Sequence, residues 1–300
     1  MPPVTSLGHL PALAREGTPR TIAVACPHDD DVLLSLDRAA AAGIVRPLLV
    51  GRRAVIEPLC EKLKLDRFRP ELVECADDAQ AVETAVRKVS SGEAQMLMKG
   101  LVSTGTFLKG VLNKEFGLRD RPLLSHVMMF EMPDPDRLVL LTDAAMNIAP
   151  DLTQKAQILE NVVGLAHKLG ILKPKVAVLA AVETVNPAMP ATLDAAALAK
   201  MAERGQFKGC LVDGPLGLDN ALSVEAARHK GIASAVAGVA DVLLVPDIEA
   251  GNMLYKTVGV VARQPLAAVI LGASAPVVLT SRTDSDESKF NSIALAAAVS

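Results

Sequence analysis

The sequence predicts an α/β protein with a mostly parallel sheet and helices on both of its faces. Three observations carry that prediction. Short apolar runs of strand length alternate with longer amphipathic runs through almost the whole chain. Several helix-like runs open on acids or hydroxyl residues, and many of them end at a glycine. Half of the 300 residues are hydrophobic and 22% are charged, which is the composition of a well-buried globular chain. A chain of this length tends to divide into two cores.

In order, "TIAVACP" (21–27) reads as a buried strand, and "DDDVLLSLDRAAAAG" (29–43) as a helix with acids in its first turn and Gly43 at its end. "VRPLLVG" then reads as a strand and "RRAVIEPLCEKL" as a helix. "ELVEC", "DAQAVETAVRKVSSG", "QMLMKG" and "STGTFLKGVLNKEFG" continue the alternation. "FEMPDPDRLVLL" (130–141) holds two Pro-Asp steps and reads as a turn or as a crossing between domains. Strands are expected again at "RLVLLTDA", "KVAVLAA", "GCLVDG" and "ADVLLVP". Helices are expected at "TQKAQILENVVGLAHKLG", "ATLDAAALAKMAERG", "LSVEAARHKG" and "NMLYKTVGVVA". A last strand runs into "SRTDSDES", and "KFNSIALAAAV" reads as a closing helix.

Composition excludes several functions. The net charge is -3, and one Tyr, six Phe and no Trp leave little for bases to stack on, so nucleic acid is not an expected partner. No apolar run approaches the ~18 residues of a membrane span without interruption, and no signal pattern opens the chain. A cytoplasmic location is expected. The four cysteines show no C-x-x-C spacing and read as reduced, buried thiols. Five scattered histidines make no H-x-x-x-H and no carboxylate cluster, so no metal site is expected. P-loop, G-x-G-x-x-G and G-x-S-x-G patterns are absent.

In doubly wound sheets, sites lie beyond the carboxyl ends of strands. Four such junctions carry chemistry-bearing residues. In "MKGLVSTGTFLKG", Lys99 and Gly100 end a strand, Ser103 and Thr104 open a helix, and Lys109 sits in its first turns. That is either an anion site at a helix mouth or an ordinary Ser/Thr cap. In "LTDAAMNIAP", Asp143 and Asn147 serve either a ligand or a turn. In "DIEAGNMLYK", Gly251 and Asn252 open a helix that carries Tyr255 and Lys256; Asn252 is either its cap or a ligand contact. In "VVLTSRTDSDESK", Arg282 offers a planar fork suited to phosphate oxygens and Ser281 a hydroxyl. Asp284 to Glu287 has the spacing of a capping box. His126, in "LLSHVMMF", reads as a buried core histidine, with Ser125 beside it able to face a cleft.

The strings "KGLVSTGTFLK", "LTDAAMNIAP", "VDGPLGLDNALS", "VPDIEAGNMLYK" and "LTSRTDSDESK" together resemble the phosphate acetyltransferase/phosphate butyryltransferase family, in its butyryl-type branch. They run in the family's order from Lys99 to near the end of the chain. The resemblance implies the reaction acyl-CoA plus phosphate giving acyl phosphate plus CoA. It implies two doubly wound α/β domains with an interdomain cleft, as in isocitrate and isopropylmalate dehydrogenases, and a homodimer. Residues 1–137 with 272–300 would form the first domain and 138–271 the second. CoA, acyl phosphate and inorganic phosphate are the implied partners, with no permanently bound cofactor.

On that resemblance Arg282 is assigned to phosphate and Ser281 to the oxyanion or phosphoryl group. Lys109, Ser103 and Thr104 are assigned to anion positioning, and Lys99, Ser125, Asn147, Asn252 and Lys256 to substrate binding. The CoA thiol has a pKa of about 8.5 by analogy with cysteine and attacks as its thiolate. The acetyl-type branch carries an Asp seven places after the motif Ser; here Ser288 stands there, and Ala144 and Ala145 replace its Cys and Gly after Asp143. Among Asp284, Asp286 and Glu287, Asp286 is taken as the base. Two other readings remain. One is a metal- and NAD-dependent dehydrogenase using Asp213, Asp219, Asp241 and Asp247. The other is a binder of CoA or acyl phosphate that has lost catalysis.

Overall fold

The computed structural model describes residues 3–65, 70–133, 137–281 and 283–300. In chain order the elements are α1 (Leu10–Ala14), β1 (Arg20–Ala25), α2 (Asp30–Ala41), β2 (Val45–Gly51), α3 (Arg53–Lys62), β3 (Glu71–Glu74), α4 (Asp78–Ser90), β4 (Met96–Lys99) and α5 (Thr104–Val111). Next come β5 (Ser125–Glu131), β6 (Leu138–Thr142), α6 (Leu152–Lys168), β7 (Lys175–Leu179), α7 (Pro190–Glu203), β8 (Leu211–Leu216), α8 (Leu218–Leu222), α9 (Val224–His229), β9 (Val242–Leu244) and α10 (Ile248–Lys256). The last are β10 (Leu266–Leu271), β11 (Val277–Val278) and α11 (Asp286–Val299). No helix among the described residues is long and apolar enough to cross a membrane.

Two compact units emerge, one of Leu7–Leu124 with Pro265–Ser300, the other of Ser125–Gln264 with residues 3–6. In the first, the strands run β3-β2-β1-β4-β11-β10. All pair in parallel except β10, which runs antiparallel to β11. Ile22, Ala23, Val24 and Ala25 of β1 are fully buried, as a central strand covered on both faces requires. α11 packs against α1, α2 and β10. Its residues from Ser288 to Ala297 are all buried, the mark of a helix enclosed on every side.

In the second unit the order is β5-β6-β9-β7-β8. β6, β9, β7 and β8 are parallel, and β5 pairs antiparallel with β6, with Met129 opposite Leu140. The stretch 132–137 therefore joins two antiparallel neighbours, and the Met132 N–H donates to the Arg137 carbonyl across it. Because β5 pairs with β6, the units part at 124/125 and 264/265, whereas the sequence reading set the breaks at 137/138 and 271/272.

Candidate active site

Three strand exits meet in the first unit. At the end of β4 the Gly100 N–H donates to the Ala25 carbonyl at 2.8 Å, and the Leu101 N–H donates to the Cys26 carbonyl at 2.7 Å. A Cβ on Gly100 would lie 2.1 Å from that Cys26 oxygen, so only glycine lets the two exits close on each other. Beyond β1, Asp29 caps α2 by accepting the Val32 N–H at 3.1 Å on Oδ1. Beyond β11, the Ser281 N–H donates to Asp284 Oδ2 at 2.6 Å, and Ser281 Oγ lies 3.0 Å from Thr283 Oγ1. Arg282 lies outside the described residues.

The cap of α11 differs from the expected Asp284–Glu287 box. Ser285 is the cap and accepts the Ser288 N–H at 3.2 Å. Asp284 is turned inward, 7% exposed, with its carboxylate on the Ser281 N–H. Asp286 and Glu287 are exposed in the first turn of α11. Asp286, taken from the sequence as the base, is not among the residues around the pocket formed here.

That pocket has Asp29, Lys99, Gly100, Thr280, Ser281 and Lys289 in its walls. Both lysines are buried, Lys99 at 6% exposure and Lys289 at 3%. A buried ammonium is costly unless partnered. Lys99 Nζ donates to the Gly100 and Val102 carbonyls at 3.0 and 3.1 Å. Lys289 Nζ donates to the Asp284 carbonyl and lies 3.5 Å from Asp31 Oδ2. The Gly100, Val102 and Asp284 carbonyls are neutral acceptors, and two ammonium groups in one wall suit the pocket to an anion.

Next to it, Ser103 caps α5 by accepting the Thr106 N–H at 3.1 Å, and Thr104 follows as its first residue, both exposed. Lys109 is in the last turn of α5, not its first turns. At ~1.5 Å rise per residue it stands some distance down the helix from its N-terminus.

In the second unit two of the sequence strings meet each other. Asp143, 2% exposed, accepts the Ala145 and Met146 N–H groups on Oδ1 at 2.9 and 3.0 Å, and the Asn147 amide on Oδ2 at 2.5 Å. A Cβ on Gly251 would lie 2.5 Å from the Asp143 carbonyl oxygen, and the Asn252 amide donates to the Ala144 carbonyl at 3.3 Å. Asp247, not Asn252, caps α10, accepting the Ala250 N–H at 2.9 Å; the helix starts a turn earlier than expected because that acid precedes it. Lys256, at the end of α10, lies 5.1 Å from the centre of the Tyr255 ring. Tyr255 meets His126 edge to face at 5.7 Å. Ser125 is fully buried, and its hydroxyl accepts the Asn161 amide at 3.0 Å, which places it in the interior instead of at a cleft wall.

Lys99 and Ser281 are thus brought together, and Asn147 and Asn252 share the Asp143–Ala144 loop. Sequence reasoning missed Lys289 and Asp29. Lys289 is the one cation of α11, set just before its long apolar run, a pattern that can signal a buried partner. Asp29 looked like one of three first-turn acids, and nothing in "HDDD" separates it from the others.

Burial, and then the neighbouring Asp78, push the Cys26 thiol up to about 12, so it stays protonated and a poor nucleophile. The four acids of the dehydrogenase reading are engaged separately. Asp213 accepts the Gly214 N–H, Asp219 pairs with Lys230, Asp241 accepts the Lys175 N–H and Asp247 caps α10. Among the described residues no group of three or more His, Cys, Asp or Glu is arranged to hold a metal ion.

Residues 54–297 match the family described as phosphate acetyl/butaryl transferase. The chain is 51% identical to the phosphate butyryltransferase of Clostridium acetobutylicum over 280 residues, 93% of each chain. It is 45% identical to the phosphate acetyltransferase of Thermotoga maritima over 94% of this chain and 95% of that one. A branched-chain phosphotransacylase from Enterococcus faecalis V583 is similar in structure, with a TM-score of 0.82 at 37% identity over 93% of this chain and 99% of that one.

Proposed function

Because the chain belongs to the phosphate acetyl/butyryltransferase family, we infer that its reaction is the direct attack of the CoA thiolate on an acyl phosphate, with the phosphoryl end gripped beside Ser281. The enzyme transfers an acyl group reversibly between CoA and inorganic phosphate. The observation that carries the siting is the pocket in which two buried ammonium groups, Lys99 and Lys289, share a wall with the Ser281 hydroxyl. Phosphate and acyl phosphate are small dianions, and fixed cations in a partly enclosed space bind them far better than exposed ones do.

In this reading Lys99, Lys289 and Arg282 hold the phosphoryl oxygens. Ser281 donates to the carbonyl oxygen as charge builds there; loss of one such donor costs about 3–4 kcal/mol of transition-state stabilisation. Ser103 and Thr104 add the positive mouth of α5. The family resemblance also assigns Asn147, Asn252 and Lys256 to substrate binding. No acyl-enzyme is needed, because the thiol attacks the acyl carbon itself. The acyl group is taken to be of the butyryl type, and comparing rates with acetyl, propionyl and butyryl phosphates tests that choice. Homodimeric assembly and a cytoplasmic location belong to the same proposal; sedimentation and cell fractionation test them.

The assay is thioester absorbance after mixing the protein with butyryl phosphate and CoA, with neither metal nor nicotinamide added. A rise is expected, and Arg282→Ala should lose most of its phosphate affinity with the fold kept. No rise with any acyl chain, or a rise that requires Mg²⁺ and NAD, defeats the reading.

A further inference from the structure

Resting on the acyl-transfer reading above, we propose that Asp29 is the proton relay of the reaction, taking the proton from the CoA thiol and passing it to the departing phosphate. The proton balance demands such a group. The sulfur electron pair forms the S–C bond at the acyl carbon while the thiol proton leaves. The C–O bond to the phosphoryl group then breaks, and its electron pair stays on the phosphate oxygen. Without a proton that product is the trianion; with one it is ordinary hydrogen phosphate. The proton lost by sulfur is the one phosphate needs, so thioester and hydrogen phosphate form with no net uptake or release. A single base carrying it has to reach both atoms, and must therefore stand inside the phosphoryl pocket.

Among the described residues, Asp29 is the one carboxylate in the wall of that pocket. Its Oδ1 accepts the Val32 N–H, and no described donor reaches Oδ2. The other acids nearby are differently placed. Asp284 holds the Ser281 N–H, Asp31 faces Lys289, and Asp286 and Glu287 are exposed on α11. Ser288 stands where the acetyl-type branch has its acid. It is 3% exposed, its hydroxyl accepts the Leu266 N–H at 3.3 Å, and its own N–H is bound by Ser285. That side chain ties α11 to β10 and cannot serve as the base.

A carboxylate beside a phosphate dianion is repelled by it, and the wall offsets this with Lys99 from β4 and Lys289 from α11. Of the other titratable side chains beside Asp29 among the described residues, Asp30 pairs with Lys62 of α3 at 2.6 Å, Asp31 pairs with Lys289 at 3.5 Å, and His28 accepts the Arg52 N–H on Nε2.

The test is Asp29→Asn in the thioester assay with butyryl phosphate and CoA between pH 6 and 9. Asn caps a helix as well as Asp does, so α2 is retained. The relay predicts kcat lower by roughly 10²–10⁴-fold, the usual worth of a positioned base, with KM for butyryl phosphate within about threefold of wild type. The residual rate should climb about tenfold per pH unit below the thiol pKa of ~8.5, because solution must then supply the thiolate. Asp29→Ser, which also caps, decides the matter if the Asn variant fails to fold. A kcat within about threefold of wild type, or a loss confined to KM, overturns the relay. Wild-type protein that makes no thioester overturns instead the acyl-transfer reading beneath it, and the relay falls with it.

Discussion

Lys289, only 3% exposed, reaches across from the start of α11 to lie 3.5 Å from the carboxylate of Asp31 in the first turn of α2. The Asp31 side chain is 48% exposed, so water can hydrate it once the ammonium is gone. Lys289→Met also removes the donor to the Asp284 carbonyl, a loss of about 0.5–1.5 kcal/mol to the fold, and should cost the substrate more. A charge-assisted hydrogen bond contributes about 1.5–3 kcal/mol, so KM for phosphate should rise about 10- to 150-fold while kcat changes less. Steady-state kinetics in the direction of acyl phosphate synthesis measure this. An unchanged KM with a lowered melting temperature makes the residue structural.

Gly251→Ala should loosen the loop that carries Asp143 and Asn147. The new methyl would meet the Asp143 carbonyl at 2.5 Å and the Ala144 Cα at 2.9 Å, and backbone atoms cannot step aside as a side chain tip does. Overpacking of this kind costs about 1–3 kcal/mol. Gly164→Ala in α6 is the matched control, since nothing stands within 4 Å of its added Cβ and alanine favours the helix by about 0.5–1 kcal/mol. Chemical denaturation should separate the two in opposite directions. Equal stability of both variants would show that the loop accommodates the methyl.

His28 should make the protein acid-sensitive. Burial first, and then the Arg52 charge, hold its pKa below the ordinary 6.5. Its Nε2 accepts the Arg52 N–H at 3.3 Å, a bond that a protonated nitrogen cannot make. Below about pH 6.5 the unfolded chain thus binds the proton more readily than the folded one, and stability falls as pH drops through that value. His28→Gln removes this titration while leaving an acceptor. Melting temperatures from pH 7.5 to 5 should decline more steeply in the wild type than in the variant; parallel slopes would contradict the assignment.

Much of this was legible in the sequence because the β-α alternation of the first hundred residues is uninterrupted, and because α2, α4 and α5 each follow an acid or hydroxyl cap. Asp29, Asp77 and Ser103 each accept a backbone N–H of their helix, Ser103 as the cap the sequence offered. The antiparallel pairing of β5 with β6 was left open by the sequence, since two apolar runs joined by a short Pro-Asp segment fit a turn or a crossing between domains alike. "PLAAVILG" did not declare β10, because alanine-rich apolar runs suit helix and strand alike. At α11 two caps competed. The D-x-x-E spacing was correct as a pattern, but Asp284 bonds the loop behind it, and the cap passes to Ser285. The site was half visible. Lys99 and Ser281 lie at strand ends, where sites are sought, whereas Lys289 and Asp29 enter the pocket from helix starts and show their role only once three exits converge.

The central claim is that a phosphoryl group is gripped at the Ser281 pocket, and the most direct measurement is a crystal structure of this chain grown without sulfate and soaked in inorganic phosphate. Phosphate oxygens should stand about 3 Å from Lys99 Nζ, Lys289 Nζ and Ser281 Oγ, the reach of a hydrogen bond. Phosphate ordered elsewhere on the chain, with this pocket holding only water at saturating concentration, would contradict the account.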